Sequence, residues 1–374
     1  MLSLLQVLFW LTAGVIFYTF LGYPLLIGLL ARYVRRPVRR APITPRVTLL
    51  IPAYNEASVI ARKLENCLTL DYPSDRLEIV VVSDGSDDET VDIVAGYADR
   101  GVRLYHKPQR QGKAAAINRV MPLVSGDIVV FSDANTMLNS GGLRALVRNF
   151  ADPTVGAVAG EKRVLGGGEG LYWRYESYLK RCDSAVSSVM GAAGELFAIR
   201  RSLFEPLPPD TLLDDFVLSM QLVKAGWRVV YETEAVAREE ASSSLAAEWQ
   251  RRARNAAGGF QAIRRLSGVP SKRRWPAWQY YSHRVLRWAV TPFLLPMIYG
   301  LNLLLSGLSL YRPLFLAQTA FYVAALLGYG LARWGVESGP LYAVFYFCFA
   351  NAAALAGFWR YITGSQPVTW AKVR

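Results

Sequence analysis

The 374-residue sequence predicts an α/β domain with a mostly parallel, mixed sheet and flanking helices, joined to transmembrane and interfacial α-helices. Three observations carry this. Buried-strand patterns alternate with helical ones from Arg46 onward; residues 3 to 31 hold no charged side chain; and three further apolar runs follow Ala289. Hydrophobic residues make up 52% of the chain, more than an ordinary soluble domain carries, and the excess lies at the two ends.

The first uncharged stretch can span a bilayer with tilt. Arginines at 32, 35, 36, 39 and 40 follow it and would keep its carboxyl end in the cytoplasm. A signal peptide would carry a shorter apolar core, its charges in front and a small-residue cleavage site. Residues 1–34 are therefore expected to be an anchor and 35–45 a basic linker.

Val47 to Pro52 reads as a buried strand ended by proline, Ser58 to Leu70 as a helix, and Leu77 to Val82 as a second buried strand ending at Ser83-Asp84-Gly85. Asp88 to Ala98 predicts a helix, Val102 to Tyr105 a short strand, and Lys113 to Val120 a helix. Ile128 to Phe131 is a further strand, stopping at Ser132-Asp133-Ala134-Asn135. This order implies right-handed crossovers, which place Asn55, Asp84 and Asp133 at one sheet edge, where α/β folds bind ligands. Pro52-Ala53-Tyr54-Asn55-Glu56 stands where a dinucleotide enzyme would carry GxGxxG.

Gly166-Gly167-Gly168 opens a less regular part, and Tyr172, Trp173, Tyr175 and Tyr178 suit either stacking on a sugar or packing beneath the sheet. Gly191-Ala192-Ala193-Gly194 allows close backbone approach, and Leu196 to Ile199 is a strand. Leu213-Asp214-Asp215-Phe216 opens a helix that runs to Lys224 and stops at Gly226. Adjacent acids there also serve as dipole-favoured caps. The domain is expected to cover 46–240.

Ser244 to Leu266 predicts a long helix bearing Arg251, Arg252, Arg254, Arg264 and Arg265, which suits a lipid surface or a phosphate-bearing ligand. After Lys272-Arg273-Arg274, Trp275, Trp278, Tyr280 and Tyr281 form an interfacial aromatic cluster, so 241–288 is expected to be amphipathic and interfacial. Apolar runs from Ala289 to Leu310, Pro313 to Ala332 and Pro340 to Trp359 place membrane helices in 289–360, before a basic tail, 361–374. If all three cross, the basic tail lies outside, against the charge rule. The run interrupted by Pro292 and Pro296 is the candidate for lying partly in the interface.

A net charge of +13 admits nucleic acid, but the arginines flank apolar runs, which favours anionic lipid instead. Three dispersed cysteines argue against a disulfide framework or zinc site. Two histidines leave little room for a Ser-His-Asp triad, so the chemistry falls to carboxylates, Lys and Arg.

In this order and spacing the motifs resemble the membrane-bound family 2 glycosyltransferases, the group of cellulose, hyaluronan and poly-N-acetylglucosamine synthases, from Gly22-Tyr23-Pro24 through the membrane helices. The resemblance implies a GT-A nucleotide-sugar-binding domain. By it, Pro52, Ala53, Tyr54 and Glu56 belong to the first nucleotide-binding loop and Asp84 to the base contact. Lys113 belongs to a Gly-Lys loop near the nucleotide, and Asp133 and Ala134 to the donor-binding Asp-x-Asp segment. Asp133 and Asn135 would hold Mg2+ or Mn2+, and Asp214 and Asp215 stand at the Thr-Glu-Asp site, whose last acid is the general base.

Physical chemistry suits these roles. A cation and an arginine neutralise the leaving diphosphate, and a carboxylate takes the acceptor's proton, which is enough for direct displacement with inversion. Two positions differ from the family pattern. Gln-x-x-Arg-Trp is absent: Arg254 aligns with its arginine and Asn255 replaces the tryptophan, which counts against processive synthesis. Asn135 replaces an aspartate, and its amide oxygen ligates without adding charge.

The expected reaction moves a sugar from a nucleotide diphosphate donor, UDP-linked by resemblance, to a lipid-linked or growing saccharide hydroxyl, in polysaccharide synthesis. The resemblance also implies an integral protein of a bacterial inner membrane, its catalytic domain cytoplasmic, with membrane lipid, export partners or a homo-oligomer as partners and no nucleic acid. The alternatives are a polyprenyl-phosphate sugar transferase and a non-catalytic nucleotide-sugar-binding subunit of an exporter.

Overall fold

The computed structural model describes residues 2–165, 170–242, 244–266, 274–337 and 339–369. Gly166-Gly167-Gly168, Lys272-Arg273 and the last five residues lie outside these.

The chain begins with α1 (Leu2–Phe17) and α2 (Tyr23–Tyr33), joined by a π-helical turn into one helical run. The α/β part follows as β1 (Val47–Ala53), α3 (Ala57–Leu68), β2 (Leu77–Asp84), α4 (Thr90–Ala95), β3 (Val102–Lys107), α5 (Lys113–Val120), β4 (Ile128–Phe131), β5 (Met137–Leu138) and α6 (Gly142–Val147). Next come β6 (Val155–Leu165), α7 (Gly170–Val186), β7 (Phe197–Arg200), α8 (Asp214–Ala225), β8 (Arg228–Glu240) and α9 (Leu245–Arg265). The chain continues with α10 (Arg274–Tyr280), a π-helical stretch (Tyr281–Val290), α11 (Thr291–Leu305), α12 (Tyr311–Arg333) and α13 (Gly339–Ile362).

The strands form one mixed sheet in the order β3-β2-β1-β4-β7-β6-β8-β5. β1 pairs in parallel with β2 and β4, while β7 runs antiparallel to both β4 and β6. β1 is buried at all seven positions because helices cover both of its faces. Leu50, Val80 and Val129 belong to the core on one face; Leu49, Val81 and Val130 belong to the other.

The predicted helix 88–98 is shorter than the pattern implies. Asp88 accepts hydrogen bonds from the Thr90 N–H and hydroxyl, so the helix starts at Thr90, and it gives out at Gly96. β6 and β8 were not expected, because Glu161, Lys162, Arg163, Glu232 and Glu234 interrupt their apolar pattern. Several of these polar residues are buried in ion pairs instead of facing water: Lys162 and Glu232 are 4% and 1% exposed.

Among the described residues four helical runs are long and apolar enough to cross a membrane: Leu2–Tyr33, Arg274–Leu305, Tyr311–Arg333 and Gly339–Ile362. The second crosses the boundary expected at 288. The helical run continues through both prolines: Pro292 stands at the start of α11 directly after the wider π-helical turns, and Pro296 lies inside α11.

Candidate active site

Pro52, Tyr54, Glu56, Lys113, Asp133, Ala134, Asn135, Asp214, Asp215 and Arg254 line one continuous cavity of about 1990 Å3. The parallel strands deliver the first loops to the same sheet edge, as strand order requires. Ala53 and Asp84 are buried, 2% exposed each, and are not among the lining residues. The Asp84 carboxylate accepts hydrogen bonds from the Gln111 and Gly112 N–H groups, at 3.0 and 2.6 Å, so it shapes the Gly-Lys loop rather than facing the cavity. Asn55, expected at the site, adopts φ 53° and spends its amide on Asp87, giving and receiving one hydrogen bond. That clamp fixes the 52–56 loop, and the Arg110 guanidinium stacks 3.5 Å from the centre of the Tyr54 ring.

The charged centre is compact. Lys113 Nζ lies 2.9 Å from Asp133 and 3.5 Å from Asp214. Asp215 follows in the first turn of α8, and its carboxylate accepts the Phe216 N–H at 2.7 Å. Burial raises the Asp215 carboxyl to about pKa 7, and Asp214 pushes the same way while Lys113 opposes them. Lys113 is held well above its ordinary value, because the three acids outweigh its burial. The expected close approach at Gly194 is real: a Cβ there would stand 3.1 Å from Lys113 Nζ and 3.5 Å from an Asp215 oxygen.

The Asp133–Asn135 loop hangs between two buried lysines that sequence reading missed. Lys63, on α3, donates to the Ser132 hydroxyl and the Thr136 carbonyl, each at 2.7 Å. Lys162, on β6, pairs with Glu195 and Glu239; Glu195 supplies a carbonyl to Ser132, and Glu239 accepts from the Asn135 amide at 2.9 Å. Burial opposes the charge on Glu195, but Lys162 overrides it and holds its pKa down at about 2. Lysines in amphipathic patterns read as surface, so only the three-dimensional contacts reveal them. We expect Lys63→Met to raise the donor KM about tenfold or more while kcat falls less, since it loosens a binding loop and leaves Asp215 in place. Steady-state kinetics of Lys63→Met beside Lys63→Arg checks this; equal loss in both parameters counts against it.

Hard oxygen donors suit Mg2+ or Mn2+, and Asp133 and Asn135 supply a carboxylate and an amide oxygen. The Asn135 Nδ2 is engaged by Glu239, which directs its oxygen away from that acid. The donor types therefore fit a divalent ion, whose remaining ligands would have to come from outside the chain.

Arg254 lines the cavity but donates to the carbonyls of Pro367 and Val368, at 3.0 and 2.9 Å, so the chain's own tail occupies it. Of the two roles left open for the aromatic segment, Tyr172 and Trp173 line the cavity, with Arg252 and Lys162 over their rings.

Family comparison agrees with this geometry. Models described as glycosyl transferase family 2 and glycosyl transferase family group 2 match residues 48–207 and 128–356. A mannosyltransferase from Pyrobaculum calidifontis, solved with GDP-Man and Mn2+, superposes with a TM-score of 0.75 at 27% identity, covering 95% of this chain and 99% of that one. A probable glycosyltransferase, YdaM, of Bacillus subtilis is 30% identical over 59% of this chain and 56% of its own length. A beta-monoglucosyldiacylglycerol synthase of a Nostoc species is 28% identical over 72% of this chain and 60% of its own. A poly-beta-1,6-N-acetyl-D-glucosamine synthase of Staphylococcus aureus is 27% identical over 61% and 58%. The chain thus spans under two thirds of the length of these curated relatives.

A GT-A-like fold with a carboxylate cluster at this sheet edge defines a glycosyltransferase. The chain belongs to glycosyl transferase family group 2.

Proposed function

We propose that this chain is an inverting, metal-dependent transferase that moves a sugar from a nucleotide diphosphate donor to a hydroxyl of a lipid-linked or growing saccharide, at the cytoplasmic face of a membrane. The observation that carries the reading is the placement of Asp215, raised to about pKa 7, in the same cavity as the Lys113–Asp133 pair.

The residues divide the work. Tyr54, whose ring carries the Arg110 guanidinium, lines the cavity at the place for a base, and Asp84 holds the 111–112 backbone that leads into Lys113. Asp133 and Asn135 would hold the divalent ion, which would supply neutralising charge for the departing diphosphate. Lys113 adds a fixed positive charge beside them. Asp215 accepts the proton of the attacking hydroxyl, and a pKa near neutrality makes it both deprotonated and basic enough for this. Asp214, paired with Lys113, raises the basicity of Asp215 through like charge. With one base and no second nucleophile assigned, displacement proceeds with inversion. The Pyrobaculum mannosyltransferase, with its GDP-Man and Mn2+, supports a nucleotide-sugar donor and a metal for this chain.

Nucleotide diphosphate release from UDP- and GDP-sugars, measured on the purified protein with lipid acceptors, tests the reading. Release that survives Asp133→Ala and chelator would overturn the metal assignment, and an acid-labile sugar phosphate on lipid as product would point to a polyprenyl-phosphate acceptor. Asn135→Asp should lower the Mn2+ concentration needed for half-maximal activity by about tenfold or less, since one added charge replaces a neutral ligand. A metal titration checks it.

A further inference from the structure

Three lysines among the described residues are buried: Lys63, Lys162 and Lys180, at 0%, 4% and 4% exposed. The first two meet acceptors within hydrogen-bond distance, Lys63 at Ser132 and Thr136 and Lys162 at Glu195 and Glu239. Lys180 does not. No hydrogen bond or ion pair joins its amine to any described residue, and the structure offers it only the face of the Tyr231 ring, 5.8 Å from nitrogen to centroid. A buried amine without acceptors costs stability, so packing does not account for it.

Its position does. Trp173, Ser177 and Lys180 recur at helical spacing on one face of α7, and all three line the large cavity together with Asp215 and residues 192–195. Glu195 follows the Gly194 that closely approaches Asp215, and its charge reaches both groups. With burial and Asp214 it raises the Asp215 carboxyl, and it favours the charged form of Lys180. The amine and the acid therefore share one part of the cavity.

The kind of ligand follows from the surrounding charges. Burial lowers the Lys180 pKa; Glu176 and Glu195 oppose the shift, while Arg284 and Lys162 add to it. Acids and cations thus act on the amine in both senses, and what it lacks is acceptor atoms rather than a counter-ion. A sugar supplies them. Each hydroxyl has lone pairs for an N–H, and the C–H faces of the ring suit Tyr172, Trp173 and Trp288, which line the same space.

We propose that Lys180 is a sugar-binding residue, its amine donating hydrogen bonds to hydroxyl oxygens of the saccharide presented to Asp215. This rests on the transferase reading and adds to it a side chain that holds the acceptor.

The test uses the full chain in phosphatidylcholine nanodiscs. Reductive methylation with formaldehyde and cyanoborohydride, read by mass spectrometry, should label Lys180 through the cavity. Methyl glycosides of glucose, mannose, galactose and N-acetylglucosamine are then added in turn. At least one should slow that labelling by about threefold or more, with glycerol inactive and the exposed Lys224 unaffected. A Lys180 that stays unlabelled, or is labelled alike with every glycoside, overturns the proposal. Lys180→Met should melt higher than wild type, because a buried amine without acceptors is gone; a lower melting temperature would mark a structural lysine and overturn it too. In that variant the calorimetric affinity for UDP and GDP should change by less than about threefold, whereas KM for the protecting glycoside as acceptor should rise about tenfold and kcat fall less. Lys180→Arg, which keeps N–H donors, should recover part of that KM. Wild-type turnover is scored apart: protection without nucleotide diphosphate release sinks the transferase reading and leaves a sugar-binding lysine, whereas release with an unprotected Lys180 sinks the proposal alone.

Discussion

Asp215→Asn removes transfer, with kcat lowered by about a thousandfold, within the span lost when a positioned general base is neutralised. Donor binding, read as nucleotide diphosphate affinity, changes by less than about threefold, because the amide keeps the carboxylate's shape. The wild-type profile of kcat/KM against pH should rise through an inflection near 7, where the Asp215 carboxyl loses its proton. Stability runs in the opposite direction. The folded pKa lies above the unfolded value, so the folded chain binds this proton more tightly. The resulting cost is absent below the ordinary carboxylate range and fully present once pH exceeds about 7. Asp215→Asn should therefore melt higher than wild type at pH 8 and alike at pH 4. A variant that lost activity by unfolding would melt lower at both.

Lys113→Met has the second largest effect. It deletes the cation 2.9 Å from Asp133 and 3.5 Å from Asp214 and leaves three acids facing one another. The pair is only partly buried, with the Asp133 side chain a third exposed, so its loss should cost less than the roughly 3–5 kcal/mol of a fully buried pair, and the melting temperature should drop accordingly. Whatever folds should show its pH–rate inflection moved upward by about one unit or more, since the charge that opposed protonation of Asp215 is gone. Lys113→Arg should restore most of the stability. An inflection that stays put in the Met variant would mean that Asp215 is not the titrating group.

Much of this was legible in the chain. β1, β2 and β4 are continuous apolar runs because both their faces are covered, and each ends at residues whose chemistry reads as a site. α8 was bounded correctly by its paired acids and by Gly226, which takes φ 97° at the C-cap. The roles within loops were harder. A motif places Asp84 and Asn55 at the right edge of the sheet, but one turns to backbone amides and the other to Asp87, and rotamer direction leaves no periodic trace in sequence. β6 and β8 escaped notice for a related reason. Their charged residues pair with each other inside the protein, and a one-dimensional pattern cannot tell a buried ion pair from two solvated charges. Arg284 and Arg287, read as interfacial, belong to the cavity wall.

The helix α7 carries Asp183, fully buried, which receives the Tyr23 hydroxyl from α2, the Gln279 amide from α10 and His283 from the π-helical stretch. Seven residues earlier Glu176 is held by Arg284 and Arg287. Removing the membrane helices would take away all of these partners and would bare the apolar face of α7 around Leu179, Cys182 and Val186, which packs on Tyr23, Ile27 and Ala31. The catalytic half is thus not a detachable module: it should melt in one calorimetric transition with its membrane segments, and a soluble excision of 46–240 should fail to fold however its ends are chosen.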